Sequence, residues 1–164
     1  MSTTSPNSEP KSVGERERIE ALLPHRDPFL FVDRILEESD SRVLTEWYIA
    51  PELDCFRGHY PGQPLLPGVL ISEFVFQTGA LLIYLGSKDD RDHEGTPVMT
   101  RIEDARFKRM VLPGDTLRAE VKLEERLANA RYLSGKVTRD GKLVARLRFV
   151  LAVAPPESES GSQG

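Results

Sequence analysis

The fold is decided by one stretch, Phe56-Arg57-Gly58-His59-Tyr60-Pro61-Gly62-Gln63-Pro64-Leu65-Leu66-Pro67-Gly68-Val69-Leu70-Ile71-Ser72-Glu73-Phe74-Val75-Phe76-Gln77. Glycine and proline are dense from Gly58 to Pro67, which predicts a rigid, irregular loop. Pro67 then stands at a suitable first position of a helix, and residues 69–85 are apolar on nearly every side. A helix of that kind is normally buried, so we expect it at the centre of the molecule.

Two polar side chains interrupt this apolar helix. Glu73 and Gln77 are four residues apart, which places them on one helical face. A carboxyl group inside a buried helix must be neutralised, paired or placed at a pocket. His59, on the preceding loop, has the side chain that titrates near neutral pH, so the two groups suit general acid–base chemistry. Alternatively, His59 is a hydrogen-bonded loop histidine and Glu73 a satisfied buried polar group.

The composition describes one ordinary globular domain. The chain has 164 residues, of which 39% are hydrophobic and 29% are charged. The net charge of −4 argues against general affinity for nucleic acid, which requires a basic face.

The other reactive side chains fit structural roles. Cys55 is the only cysteine, so the sequence allows neither an internal disulfide nor a cysteine-based zinc cluster. Its neighbours favour a small buried thiol over a nucleophile. His25 lies between two prolines, where a structural hydrogen bond is the better interpretation. His93 falls in a charged loop over residues 86–95 and is expected at the surface.

The two ends of the chain are polar. Residues 1–14 are rich in Ser, Thr and Pro, which predicts a disordered tail and no signal peptide. Residues 155–164 predict a second disordered tail, and residues 15–154 remain as one folded domain. No run approaches the roughly 18 apolar residues that a membrane helix requires. The sequence therefore predicts a cytoplasmic protein with no membrane partner.

The remaining pattern predicts an α+β fold. A short helix is expected over residues 15–23, and Val43, Thr45 and Trp47 should form the buried face of a strand. Hairpin-joined strands, such as the pair around Asp140-Gly141, make an antiparallel sheet that the apolar helix must cross to be buried. The open edge of such a sheet invites dimerisation. The expected strands cover residues 29–35, 42–49, 97–110, 117–127, 132–138 and 143–153.

Three sequence blocks, in a fixed order, carry a specific pattern. They are Leu23-Pro24-His25-Arg26-x-Pro28-Phe29-Leu30-x-Val32-Asp33-Arg34, then Gly58-His59-Tyr60-Pro61-Gly62-Gln63-Pro64-Leu65-Leu66-Pro67-Gly68-Val69-Leu70-Ile71-x-Glu73-x-x-x-Gln77, then Arg106-Phe107-Lys108-Arg109-x-Val111-Leu112-Pro113-Gly114-Asp115-x-Leu117. Together they resemble the FabZ-type 3-hydroxyacyl-(acyl carrier protein) dehydratases over about residues 19 to 152.

The resemblance implies a hot-dog fold, in which an antiparallel sheet wraps around one long helix. It implies homodimers that join two sheets side by side and can assemble into trimers of dimers. The active site would be shared, with His59 of one subunit facing Glu73 of its partner. The implied reaction is reversible removal of water from a (3R)-3-hydroxyacyl thioester on acyl carrier protein, in fatty acid biosynthesis, without metal or redox cofactor.

The resemblance also assigns roles to individual residues. Neutral His59 would take the α-proton, and Glu73, whose apolar setting favours its protonated form, would protonate the departing hydroxide or orient a water. Backbone N–H groups near Gly68 and Val69 would stabilise the enolate oxygen. The residues expected to line an acyl tunnel, unless core packing accounts for them, are Leu65, Leu66, Phe74 and Gln77.

An acidic carrier protein requires a basic docking patch. Two departures from the family pattern, Asp27 in place of an aromatic residue and the bulky Phe74 and Phe76, leave the acyl chain length open. A hot-dog acyl thioesterase that activates water with Glu73, or a non-catalytic acyl-binding protein, remain the alternative functions. The expected docking patch, which a solvated strand face would explain as well, comprises Arg101, Arg106, Lys108 and Arg109.

Overall fold

A computed structural model describes residues 13–86 and 95–155 of the chain. Within these ranges, six strands form one antiparallel sheet in the order β1-β2-β4-β5-β6-β3. The helices are α1 (Val13–Leu22) and α2 (Gly68–Leu85), with a short 3-10 turn at Asp54–Arg57. The strands are β1 (Arg34–Glu38), β2 (Arg42–Tyr48), β3 (Thr96–Phe107), β4 (Thr116–Leu127), β5 (Ala130–Arg139) and β6 (Lys142–Ala154).

Helix α2 forms the centre of the molecule because its residues are apolar on nearly every side. The helix begins directly after Pro67, and its residues from Ile71 to Leu82 are buried except Glu73. The Phe74 ring packs 5.5 Å from that of Trp47 on β2, and the Phe76 ring 5.0 Å from that of Phe149 on β6. The sheet therefore wraps around α2, which is the α+β hot-dog arrangement that the resemblance implies.

The alternation along β2 is confirmed. Val43, Thr45 and Trp47 are buried, with the Thr45 hydroxyl bonded to that of Thr78 on α2 at 2.7 Å. Burying every second residue of a strand against a helix is the structural basis of this period-two pattern. The same face of the sheet continues into β4 through Leu117, Ala119 and Val121, which are fully buried.

The hairpin between β5 and β6 also forms as predicted. Asp140 and Gly141 both have positive φ, 49° and 74°. A two-residue hairpin turn with both central residues in the left-handed region matches the twist of the strands it joins, and Asp-Gly is a favoured sequence for it.

The first predicted strand is wrong at its start, since β1 begins only at Arg34 and residues 29–33 are not strand. At Phe29 and Phe31 the backbone bonds to a side chain of α2, and only at Asp33 does an N–H reach the neighbouring strand, where it donates to the Glu46 carbonyl of β2 at 2.9 Å. Gln77 Oε1 accepts from the Phe31 N–H at 2.8 Å, and Gln77 Nε2 donates to the Phe29 carbonyl at 3.0 Å. The periodicity of the sequence cannot reveal that an amide side chain takes the hydrogen bonds that a neighbouring strand would otherwise make.

The short helix predicted over residues 15–23 forms as α1, which begins two residues earlier, at Val13. This helix packs on β1 and α2 through the fully buried Ile19. The predicted tails cover residues 1–14 and 155–164, and the predicted surface loop with His93 covers residues 86–95. Most of these residues belong to the segments 1–12, 87–94 and 156–164. These segments lie outside the described residues.

One helix of the described chain, α2, is long and apolar enough to cross a membrane by length and composition. The expectation that no run approaches that length is therefore wrong. The same helix is the core of the sheet, and 61% of its apolar window is buried inside the protein. Sufficient length and apolar composition are weak evidence for a membrane span when the helix is already packed against the sheet of its own chain.

Candidate active site

The loop before α2 holds His59 by backbone hydrogen bonds on both sides. The His59 N–H donates to the Cys55 carbonyl at 2.9 Å, and the His59 carbonyl accepts from the Leu65 N–H at 3.0 Å. The next residue, Leu66, donates its N–H to the Val111 carbonyl at 2.9 Å, which ties the loop to the segment after β3. The prolines of this loop remove donors and restrict φ, so these few bonds suffice to fix its path.

The imidazole of His59 is fixed as well. Its Nδ1 lies 2.7 Å from the Leu65 carbonyl oxygen, and its ring stacks on that of Tyr60 at 4.1 Å. A carbonyl oxygen only accepts hydrogen bonds, so Nδ1 carries the proton and donates it. In the neutral ring, Nε2 then retains its lone pair and can accept a proton.

Glu73 lies on the first half of α2 with its side chain 23% exposed. Its Oε1 accepts a hydrogen bond from Gln77 Nε2 at 3.0 Å, which confirms that the two side chains share one helical face. Gln77 is itself 1% exposed and bonded to the backbone of Phe29 and Phe31. The Glu73 carboxyl group is therefore held by the Gln77 amide, which is itself fixed by hydrogen bonds to the backbone of residues 29–31.

A second group beside Glu73 was not expected from the sequence. His25 Nε2 lies 3.4 Å from Glu73 Oε1, and the His25 side chain is 27% exposed. Its other ring nitrogen, Nδ1, is buried and makes no hydrogen bond within the described part of the chain. The structural hydrogen bond predicted for His25 is thus not present at Nδ1, and its polar contact is with the carboxylate.

Within the described residues of one chain, no hydrogen bond or ion pair joins His59 to Glu73. Each group instead has its own neighbours, Leu65 and Tyr60 for His59, and Gln77 and His25 for Glu73. Pro67 caps α2 without a side-chain hydrogen bond, and no acidic residue lies in the first turn. The N–H groups of Gly68 and Val69 at this end lack intrahelical acceptors, as in any α-helix, and can bind developing negative charge.

An apolar groove of about 380 Å³ opens beside the start of α2. Its apolar lining includes Leu65, Leu66, Ile71, Phe107 and Met110. Two other predicted tunnel residues lie elsewhere in this single chain. Phe74 is fully buried against Trp47, and the Gln77 amide is used in its three hydrogen bonds.

The predicted basic patch is divided between two surfaces. Lys108 and Arg109 line the apolar groove. Arg106 lies on the outer face of the sheet, where it pairs with Asp104 at 3.0 Å and stands opposite Arg146 of β6. Arg101, farther along β3, pairs with Glu103 at 3.1 Å and lies over the Tyr132 ring.

Cys55 sits at the base of the histidine loop and is partly buried against the core. Burial raises the pKa of its thiol, which disfavours the nucleophilic thiolate. Among the described residues, no group of three or more His, Cys, Asp or Glu side chains is arranged to hold a metal ion.

Fold and site together define a class of protein: a hot-dog domain with a histidine on the loop before its central helix and a glutamate within that helix. Residues 23–148 match the FabA-like domain family, and the chain belongs to that family.

The chain is similar to proteins named 3-hydroxyacyl-[acyl-carrier-protein] dehydratase FabZ. The relative from Solibacter usitatus is 40% identical over 141 residues, which is 86% of each chain. The relative from Thermomicrobium roseum is 41% identical over 145 residues, 88% of this chain and 95% of its own.

Solved structures share the fold at low sequence identity. The dehydratase heterocomplex ApeI:P from Xenorhabdus doucetiae has a TM-score of 0.69 at 15% identity, covering 83% of this chain and 90% of that one. A Streptococcus mutans protein bound to acetyl CoA has a TM-score of 0.61 at 16% identity, covering 82% and 96%. At such identities the likeness establishes the fold alone.

Proposed function

We propose that the chain catalyses the reversible dehydration of (3R)-3-hydroxyacyl thioesters on acyl carrier protein to trans-2-enoyl thioesters, in fatty acid biosynthesis. The observation that carries the proposal is the fixed tautomer of His59, whose Nδ1–H is committed to the Leu65 carbonyl at 2.7 Å. A histidine held in this way has the lone pair of Nε2 free to accept a proton. Family membership and the relatives named FabZ support the same reaction.

The chemistry removes a proton from the α-carbon and hydroxide from the β-carbon. His59 Nε2 accepts the α-proton, and the electron pair moves toward the thioester carbonyl as an enolate. The N–H groups of Gly68 and Val69, at the positive end of the α2 dipole, stabilise that oxygen. Glu73 gives a proton to the hydroxide, which leaves as water while the double bond forms. Transfer of a proton from the imidazolium to the carboxylate through solvent then restores the starting state.

The proposed site needs two copies of the chain, with His59 of one subunit facing Glu73 of the other. Support comes from β3, an edge strand of 12 residues that pairs only with β6 within the described sheet. An exposed strand edge of this length invites pairing with another strand. The exposed apolar side chains of this edge are Val98, Met99, Ile102 and Phe107. A dimer through β3 would join two sheets side by side. We further propose that three such dimers can assemble into a hexamer.

The acyl chain would enter the groove between Leu65, Leu66 and Phe107. About 380 Å³ of largely apolar space suits an acyl chain and its thioester better than a polar substrate. Lys108 and Arg109 at the same groove would meet the anionic phosphopantetheine arm or its acidic carrier. The cytoplasmic location predicted from the sequence is part of this proposal.

The test is a direct assay of the purified protein with 3-hydroxyacyl and 2-enoyl thioesters, following enoyl absorbance and thiol release separately. We expect enoyl formation, with kcat about 10²- to 10⁴-fold lower in His59→Ala and in Glu73→Ala. Glu52→Gln, an exposed carboxylate outside the site, serves as the control. Thiol release without enoyl formation would favour a thioesterase instead, and inactivity toward both substrates a non-catalytic acyl-binding protein.

A further inference from the structure

His25 lies beside the carboxylate of Glu73, although no step of the proposed reaction uses it. Its Nε2 is 3.4 Å from Glu73 Oε1, a polar contact somewhat longer than an ordinary hydrogen bond. Polar contacts at active sites are often long in the free enzyme and shorten when substrate binds. Gln77 Nε2 donates to the same oxygen at 3.0 Å, so two nitrogen groups converge on Oε1.

The arrangement is inconsistent with a purely structural histidine. Pro24 and Pro28 bound the loop that carries His25, and Arg26 donates to the carbonyls of Leu23 and His25 at 2.8 Å and 2.7 Å. The loop path is therefore fixed without the imidazole. A histidine that stabilised the loop would use its buried Nδ1, yet in the described chain that atom has no hydrogen-bond partner. Leaving a buried nitrogen unpaired is unfavourable, which indicates that the imidazole serves a role at Nε2.

We propose that His25 is a positioning residue that directs the proton of Glu73 to its outer oxygen. This inference rests on the proposed dehydration. With the proton on Nε2, the neutral ring donates toward Oε1, and Gln77 donates to the same atom. An oxygen that already accepts from two donors is a poor site for a proton, so protonated Glu73 carries it on Oε2. That oxygen makes no hydrogen bond in the described chain and is left for the substrate hydroxyl.

The hydrogen bonds of Gln77 connect Glu73 to the segment that carries His25. The Gln77 amide spans the backbone of Phe29 and Phe31, a few residues after His25 in the chain. The two donors to Glu73, His25 and Gln77, are therefore both attached to residues 25–31, His25 as part of that segment and Gln77 through its hydrogen bonds. A shift of that segment would move both donors together. Among the described residues, His25 is the only ionisable side chain that an ion pair places against Glu73.

The test uses two replacements of His25 with different chemistry. His25→Phe keeps the ring volume without a donor, whereas His25→Gln keeps an N–H at nearly the same reach. We expect His25→Phe to lower kcat about 10- to 100-fold with KM changed less than about threefold, because misorienting a proton donor affects the reacting state. We expect His25→Gln to recover kcat to within about fivefold of wild type. Asp27→Asn, exposed in the same loop, is the matched control.

Equal losses of kcat in His25→Phe and His25→Gln would overturn the proposal, because they would show that His25 acts only by stabilising the loop. A kcat of His25→Phe equal to that of wild type would overturn it too. A second readout is independent of activity: the ¹⁵N resonance of His25 Nε2 should move in Glu73→Gln and stay in place in Glu20→Gln. An unmoved resonance contradicts the contact itself. If the resonance moves but wild type forms no enoyl product, the proposed function fails while the contact stands.

Discussion

At the scale of single residues, the main chain orients His59, the proposed base, and side chains orient Glu73, the proposed acid. His59 and Leu65 exchange two hydrogen bonds, one through the backbone and one through Nδ1. Glu73 is held by Gln77 and contacted by His25, both of which depend on distant segments of the chain. The base is therefore a local product of the proline-rich loop, whereas the acid is placed by tertiary structure.

This difference decides what sequence reasoning could find. The four-residue spacing of Glu73 and Gln77 predicted their contact, because helical geometry is local. The contact between His25 and Glu73 joins residues 48 positions apart, and no periodicity reports it. The two prolines around His25 even suggested the opposite, a loop role. The unused Nδ1, visible only in three dimensions, is the signal that corrects it.

A second residue-scale arrangement, the pair formed by Arg42 and Glu120, makes stability depend on pH. Arg42 Nε donates to Glu120 Oε2 at 2.6 Å across β2 and β4, and this bond lowers the pKa of Glu120 below its ordinary value of 4.5. A carboxylate with a lowered folded-state pKa stabilises the fold above its unfolded value and loses that contribution as the pH falls through the folded value.

We therefore predict that Glu120→Gln lowers the free energy of unfolding at pH 7 by about 0.5–1 kcal/mol, a range that allows for solvent screening of a surface pair. The difference from wild type should shrink as the pH falls below 4.5. Urea denaturation at both pH values measures it. Glu52→Gln, which removes an exposed carboxylate without an ion pair in the described chain, should show no such trend. A difference that is constant with pH contradicts the assignment.

At the scale of elements, the packing of α2 against the sheet depends on small residues at close approaches. A methyl group built on Gly79 of α2 would lie 3.0 Å from the Phe149 ring of β6. A methyl group on Gly135 of β5 would overlap the side chain of Val75 on α2. Valine is stiff at its first side-chain torsion, so it cannot easily move aside. The missing side chain at Gly135 therefore sets the distance between helix and sheet.

We predict that Gly135→Ala lowers the free energy of unfolding by about 1–3 kcal/mol through overpacking. Lys136→Ala, at the adjacent exposed position, should change it by less than about 0.5 kcal/mol. Chemical denaturation of the two variants beside wild type provides the comparison. If Gly135→Ala were as stable as Lys136→Ala, α2 would not be as tightly packed as described.

The elements themselves were predictable where their burial has a simple period. The period-two pattern of β2, the Asp-Gly turn and the all-apolar α2 each follow from local chemistry. The start of β1 was not predictable, because Phe29 and Phe31 bond to the side chain of Gln77. The basic residues near the end of β3 were adjacent in sequence, yet the end of the strand after Phe107 separates Arg106 from Lys108 and Arg109.

At the scale of the whole molecule, charge is unevenly distributed. The chain carries a net charge of −4, yet Arg106, Arg146 and Lys136 stand opposite one another on three adjacent strands. Like charges in such direct cross-strand contact are destabilising, and an acidic partner would relieve the repulsion. These cations lie on the outer face of the sheet, whereas Lys108 lies at the groove. We propose that the carrier protein contacts both surfaces.

We predict that the double variant Arg106→Glu, Lys108→Glu weakens binding of the acidic acyl carrier protein at least tenfold at low salt, with a smaller effect at high salt. Titration calorimetry at two ionic strengths measures both. Arg18→Glu on α1, at the opposite edge of the sheet, is the control for a charge change alone. Unchanged affinity in the double variant would remove these residues from the docking surface.

Neither the periodicity of the sequence nor the structure of a single chain reveals the proposed pairing of two copies. Within one chain, β3 is exposed along most of its 12 residues, and His59 and Glu73 have separate neighbours. Both features follow if a second copy covers β3 and brings its histidine to the glutamate. The resemblance predicted this arrangement, and its proposed physical basis is the outer edge of β3, along which no strand pairs within the described sheet.

The most direct test of the shared site is to mix two inactive variants, His59→Ala and Glu73→Ala, after dissociating and reassociating the subunits. A mixed dimer has one site with both mutations and one site with both groups intact. Random reassociation should therefore restore about a quarter of the wild-type dehydratase activity, because half of the dimers are mixed and each has one working site. Activity that stays at the sum of the two separate variants would contradict a site shared between subunits.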